Sequence, residues 1–272
     1  MRVNPVTTLT QVYRHAEGGG IAALCDDVRH GRDIQSDYGR EVSLHLETDS
    51  ETTAKTVLAL YAKLIANGVK PVDIGLLSPF RKQPFHGVEP LNRSIRRLLG
   101  HDDAVRVGDL VMALNNDYDL DVMNGMRGEV AVVRSDLSFG VAFEDRIGLV
   151  NFPRDKRVSN SLDGPALELR WAFASTVHKA QGGQFPHVIA IVPTNGAYLF
   201  GKPALYTVFS RARVTLAVVG DIARISDISR RGGRERTTAL AMLLDAPPPK
   251  PIKQIGAIDM SSSGFEPTEV DE

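Results

Sequence analysis

LELRWAFASTVHKAQGGQFPHVIAIVPTNGAYLFGKPALYTVFSRARVTLAVVGD, residues 167–221, decides the fold. Three apolar runs of strand length lie in it: LELRWAF (167–173), HVIAIVP (187–193) and VTLAVVGD (214–221). The segments between them read as helices, one beginning near Thr176 and one near residues 204–212. Strand–helix alternation of this kind predicts a largely parallel sheet with helices on its faces, so the fold class is α/β.

The same alternation extends upstream. After Gly18-Gly19-Gly20 a short helix is expected to run to about His30, and VSLHLE (42–47) alternates like a strand. Asp49-Ser50 can cap a helix whose apolar positions Ala54, Val57, Leu58, Tyr61, Leu64 and Ile65 follow the 3.6-residue period, with Gly68 as its left-handed exit. A buried strand, IGLLSP (74–79), follows. Leu91, Ile95, Leu98 and Leu99 then form one face of a helix, with Arg93, Arg96 and Arg97 on the other.

From residue 104 to about 166 the rhythm changes to short strands broken by turns, notably Asn124-Gly125, a type I′ hairpin signature. This predicts a small β-barrel inserted into the α/β domain. Over residues 105–163 it carries ten acidic and seven basic residues, which argues against an electrostatic clamp for DNA. The expected organisation is therefore a discontinuous lobe of residues 1–103 and 167–245, an insertion at 104–166, and a disordered tail at 246–272. The tail is rich in Ser, Pro and acidic residues and follows Pro247-Pro248-Pro249, which ends a last helix over about 235–245.

Composition narrows the function classes. The 272 residues carry 32 basic and 33 acidic side chains, so no whole-molecule field draws in nucleic acid or membrane, and any phosphate binding must come from local geometry. Of the 32 cations, 23 are arginines, whose planar fork suits bidentate phosphate contacts. One cysteine, Cys25, closes no intramolecular disulfide, and no apolar run is long enough to span a bilayer, so no membrane role and a cytoplasmic location are expected. The histidines and the cysteine show no metal-ligand spacing, and no metal site is expected.

Two segments carry possible phosphate chemistry. STVHKAQGGQF (175–185) joins a strand to an expected helix start with hydroxyls, a histidine, a lysine and two glycines. Amides at such a helix start can hold phosphate oxygens, though the same residues also suit a merely well-capped helix. In LYTVFSRAR (205–213), Arg211 and Arg213 stand where a helix feeds a strand. They either complement that helix's carboxyl-terminal dipole or reach a transferring phosphoryl group. GAYLFGKP (196–203) has Walker A spacing, but Pro203 replaces the hydroxyl residue that would ligand magnesium. IAALCDD (21–27) imitates a Walker B strand, yet its alanines and preceding glycines favour a helix.

Taken in order, these segments resemble the carboxyl-terminal motor lobe of superfamily 1 DNA helicases, most closely the RecD/TraA-like branch. LTQVYRHA (9–16) resembles the motif with an ATP-sensing arginine, IGLLSPFR (74–81) with Leu91-Asn92 resembles motif IV, 175–185 motif V, and ALYTVFSRAR (204–213) motif VI. GDLVMALNN (108–116) with NGMRG (124–128) resembles the SH3-like barrel that this branch inserts into its second RecA-like lobe.

The resemblance implies that Arg14 and Arg211 contact the γ-phosphate of ATP, and that Gln181, Gly182, Gly183 and Gln184 line the nucleotide cleft. It implies nucleic-acid contacts at Ser78, Asn92, Thr176 and His178. His15 and Gln184 depart from the family, which usually has Gln and Glu there. Walker A and Walker B belong in this family to an amino-terminal lobe that the sequence does not include. The implied function is thus the carboxyl-terminal half of an ATP-dependent DNA helicase or translocase that moves along single-stranded DNA in the 5′ to 3′ direction, supplying arginine fingers and strand contacts and using ATP and Mg2+ only with a Walker-bearing partner lobe. A non-catalytic nucleic-acid-binding or regulatory remnant is the alternative, and an unrelated nucleotide-binding α/β enzyme a third.

Overall fold

A computed structural model describes residues 19–101, 104–144, 146–153, 169–177, 179, 183–192 and 201–231. Arg14, His15, His178, Gln181 and Gly182 lie outside these residues, as do the expected helix at 235–245 and the tail at 246–272. The first helix, α1 (Gly20–His30), leads into β1 (Val42–Leu46) and then α2 (Ser50–Ala66). The Asp49 carboxylate caps α2 by accepting from the amides of Glu51 and Thr52. Next come β2 (Ile74–Ser78) and α3 (Val88–Leu98). Four antiparallel strands follow: β3 (Leu110–Ala113), β4 (Arg127–Val133), β5 (Phe139–Phe143) and β6 (Leu149–Phe152). The chain continues through β7 (Leu169–Trp171), β8 (Ala174–Thr176), β9 (Phe185–Val192), α4 (Lys202–Phe209), β10 (Ala212–Gly220) and α5 (Ile222–Arg230).

Five strands form a fully parallel sheet in the order β1-β10-β9-β2-β8, as the alternation predicts. Alternate residues of its strands feed two different cores. Val188, Ala190 and Val192 of β9, with Leu216 and Val218 of β10, meet α1, α4 and α5 through Leu24, Val28, Leu205, Phe209 and Ile225. Ile189 and Ile191, with Ile74, Leu76 and Val219, meet α2 and α3 through Val57, Tyr61, Leu91 and Ile95.

The inserted region is a five-stranded antiparallel sheet, in the order β6-β5-β4-β3-β7. β3 serves both bodies. Leu110 and Met112 join the core under α2 and α3, while Val111 and Ala113 join the sheet's own core with Phe139, Phe152 and Trp171.

Several local expectations are corrected. LELRWAF does not supply a strand of the parallel sheet: Leu169–Trp171 within it pairs antiparallel with β3, and the parallel strand on β2 is Ala174–Thr176, just beyond it. No helix begins at Thr176; the residue ends β8, and Val177 and Lys179 lie in a turn. Asn124-Gly125 is not a type I′ turn. Only Gly125 has a positive φ, 94°, and the turn leads into β4 from an isolated bridge between Asp117 and Val122 rather than joining paired strands. The helix α5, capped by Asp221, was not expected from the sequence.

Arg96 is the most consequential correction. It points inward rather than to solvent, since Val88, Leu91, Asn92, Ile95 and Arg96 form one buried stripe of α3. Its Nε and Nη2 donate to the two oxygens of Asp109, each at 3.1 Å, and its guanidinium lies 3.8 Å from the centre of the Trp171 ring. Asp109 is 0% exposed and also accepts from His101 Nδ1 at 2.8 Å and from the Arg106 amide at 2.8 Å.

Truncating one member of a buried, hydrogen-bonded ion pair strands the other charge, at a cost of about 3–5 kcal/mol. Asp109→Ala should therefore lower the unfolding free energy by about that amount. Urea denaturation followed through Trp171, the single tryptophan, measures it.

Candidate functional site

Those of the singled-out residues that are described fall at opposite ends of the parallel sheet. At the carboxyl end, Ser78 of β2 and Thr176 of β8 are register partners. Ser78 is 0% exposed; its hydroxyl donates to the carbonyl of His86 at 2.8 Å and accepts from the Phe80 amide at 3.2 Å, so it pins the loop after β2. Asn92 is also fully buried. Its side-chain amide donates to the Ala174 carbonyl at 3.1 Å, and its oxygen accepts from the Ala174 amide at 2.9 Å.

β8 is an edge strand, and Asn92 supplies from α3 the hydrogen bonds that a further strand would have made. In this arrangement Ser78 and Asn92 shape the carboxyl end of the sheet, and neither side chain reaches solvent to touch a ligand. Thr176 is half-buried. Its carbonyl accepts from the Lys179 amide at 3.0 Å, which closes a tight turn beside it.

At the amino end, Arg211 lies between α4 and β10. Nε donates to the Thr207 carbonyl at 3.0 Å and Nη1 to the Gly183 carbonyl at 2.9 Å. The Arg211 carbonyl in turn accepts from the Phe185 amide at 2.9 Å. Arg211 is thus laced to the segment that enters β9, which brings it together with Gly183 and, through the chain, with exposed Gln184. Because Leu77 is opposite Ala190, Phe185 lies about six strand residues from the level of Ser78, roughly 20 Å away. The structure therefore separates Arg211 and Gly183 from Thr176.

Phe185 is held from two sides. A Cβ on Gly75 would stand 2.4 Å from its ring, so only glycine lets β2 and the ring approach so closely. From the inserted sheet, Arg127 places its guanidinium 5.1 Å from the ring centre and donates to the carbonyls of Val72, Pro71 and Ile74 at 3.2–3.4 Å. Burial lowers the pKa of Arg127, an effect that Glu144 at 4.0 Å opposes. Neither Arg127 nor Phe185 stood out in the sequence. The arginine sits in an apolar strand context, and the carbonyls and the ring that it meets are more than fifty residues away.

Chemically, the amino end offers a guanidinium held against the Gly183 carbonyl, a donor suited to anionic oxygens. The carboxyl end offers a hydroxyl and an ammonium on one turn. Lys179 is exposed, yet its ammonium has a pKa below the ordinary lysine value, first through desolvation and then through the nearby Arg170 guanidinium.

Residues 171–219 match the UvrD-like helicase C-terminal domain. The ATP-dependent RecD2 DNA helicase of Deinococcus radiodurans is 25% identical over 253 residues, 87% of this chain and 32% of that protein. The RecBCD enzyme subunit RecD of Mycolicibacterium smegmatis is 26% identical over 156 residues, 55% of this chain and 26% of the relative. The chain thus spans less than a third of the length of either relative. Among solved structures, Bacteroides Pif1 bound to single-stranded DNA has a TM-score of 0.46 and 18% identity over 78% of this chain and 51% of that one.

Two substitutions test how the ends of the sheet are built. Asn92→Ala leaves the Ala174 amide and carbonyl buried without partners and should cost roughly 2–4 kcal/mol in chemical denaturation. Gly75→Ala should cost about 1–3 kcal/mol by pushing Phe185 off β2.

Proposed function

A chain that carries the carboxyl-terminal region of a RecD-like superfamily 1 helicase is, we propose, one half of an ATP-driven DNA motor. In this reading the parallel sheet and its helices, within residues 1–103 and 167–245, are the second RecA-like lobe. The antiparallel sheet within 104–166, together with β7, stands for the SH3-like insertion of that branch.

Arg211 and Arg14 reach the γ-phosphate of ATP held against a complementary lobe, and Gln181, Gly182, Gly183 and Gln184 line the cleft. Arg211 supports this reading most directly. It is an arginine anchored through Thr207 and Gly183 at a strand entry, on the segment that resembles motif VI. A guanidinium placed there stabilises charge that builds up on the transferring phosphoryl group, at a site where one arginine can matter by three or more orders of magnitude.

Thr176, at the other end of the sheet, and His178 take the backbone of a single DNA strand in this reading. Ser78 and Asn92 support that end from below. The two ligands are then about a strand length apart, so nucleotide-driven closure moves the strand end as a lever rather than by contact. The 5′ to 3′ direction belongs to the same reading.

Among the described residues no three acidic, histidine or cysteine side chains converge. In this reading the Walker-bearing partner lobe supplies the ligands of Mg2+.

Mixing the chain with a Walker-bearing amino-terminal lobe and single-stranded DNA, and measuring ATP turnover, tests the reading. Turnover should require the added lobe and should fall at least tenfold in Arg211→Ala, more than about 1.4 kcal/mol of barrier. Robust turnover by the isolated chain would contradict the division of labour, and full turnover in Arg211→Ala would remove the arginine from the chemistry. Strand binding that never stimulates turnover would favour the non-catalytic alternative.

A further inference from the structure

The turn that ends β8 is tied to the inserted sheet by a contact outside the residues assigned above. Lys179 Nζ donates to Asn124 Oδ1 at 2.6 Å, across 55 positions of sequence. The acceptor is held independently of the lysine. Asn124 donates its backbone amide to Asn116 Oδ1 at 2.8 Å, Gly125 donates to the Ala113 carbonyl at 2.8 Å, and the Met126 amide closes the turn on Met123 at 3.0 Å. The lysine is held by its backbone on Thr176, and only its side chain spans the gap.

The pairing is electrostatically incomplete. An ammonium rests on a neutral amide oxygen, and among the described residues it meets no carboxylate within ion-pair distance. The Arg170 guanidinium lies close enough to disfavour its charge further. A phosphate oxygen carries the opposite charge that the amide oxygen lacks, so Coulomb attraction favours an arriving phosphate over the asparagine.

We propose that Lys179 is a latched phosphate ligand: parked on Asn124 in the strand-free protein, it is handed to a nucleic-acid backbone phosphate lying against the Thr176–Lys179 turn. This rests on the strand-binding half of the proposed function and adds to it a contact residue and a release step. The neutral partner leaves the lysine charged and available, and strand entry frees the Asn124 turn of the inserted sheet.

The test is fluorescence anisotropy of a labelled oligothymidylate of ~20 nucleotides, titrated with the full chain over a range of KCl concentrations. Lys179→Gln should weaken binding and reduce the slope of log affinity against log salt by about 0.7, the share of one single-strand phosphate. Lys179→Arg should keep the wild-type slope. Asn124→Ala should bind at least as tightly as wild type with that slope unchanged, because it removes only the competitor. Unchanged Trp171 fluorescence confirms that each variant is folded.

A wild-type slope in Lys179→Gln, or a loss of affinity in Asn124→Ala equal to that in Lys179→Gln, overturns the latch while the strand-binding reading stands. Failure of the wild-type chain to bind the oligonucleotide overturns the strand-binding reading itself, and the latch with it.

Discussion

One carboxylate organises the junction between the two sheets. Asp109 lies at the point where the chain leaves the α/β lobe for the inserted strands, and it takes four hydrogen bonds while shut off from water. A carboxylate only accepts, so His101 must present its Nδ1 proton there, and Arg96 must turn inward from α3 to balance the charge. Trp171, on the returning strand, closes over that guanidinium. Burying an ion pair is a weak source of net stability, because desolvation consumes most of the attraction. Its value here is geometric: outgoing and returning strands are located against the same helix.

A second arginine repeats the theme farther along the interface. Arg127 crosses from β4 to three carbonyls around the start of β2 and lies against Phe185, which also presses on Gly75. Since the Phe185 amide holds the Arg211 carbonyl, the inserted sheet supports the strand entry that carries Arg211. The two arginines make the insertion part of the lobe's framework, with Leu110 and Met112 completing a shared apolar core.

What was legible in the sequence had local causes. The α2 helix carries its own cap in Asp49 and its own period, and β9 and β10 are apolar runs bounded by turn residues, so the parallel sheet followed from pattern alone. What stayed hidden depended on partners far along the chain. Arg96 looks like a solvent-facing charge until Asp109 and Trp171 are placed around it. LELRWAF reads as one strand, because nothing local marks Ala172-Phe173 as the passage from one sheet to the other. Ser78 and Asn92 lie in the segment that the resemblance marks, but their polar groups are spent on the backbone of Phe80, His86 and Ala174, a use that sequence pattern does not distinguish from ligand contact. Arg211 beside Gly183 was legible only as motif order, and its companion Arg14 lies outside the described residues.

β3 and β7 are hydrogen-bonded neighbours, so the antiparallel sheet meets the α/β lobe through a paired stem whose two roots stand side by side. The lobe's own strands meet that stem and, beside it, Arg127 at the start of β4. Residues beyond it, in β5 and β6, can be lengthened, trimmed or exchanged for another module without changing the distance the parent chain must bridge. The fold is thereby modular at this point: the outer strands can be re-equipped while the parallel sheet stays as it is.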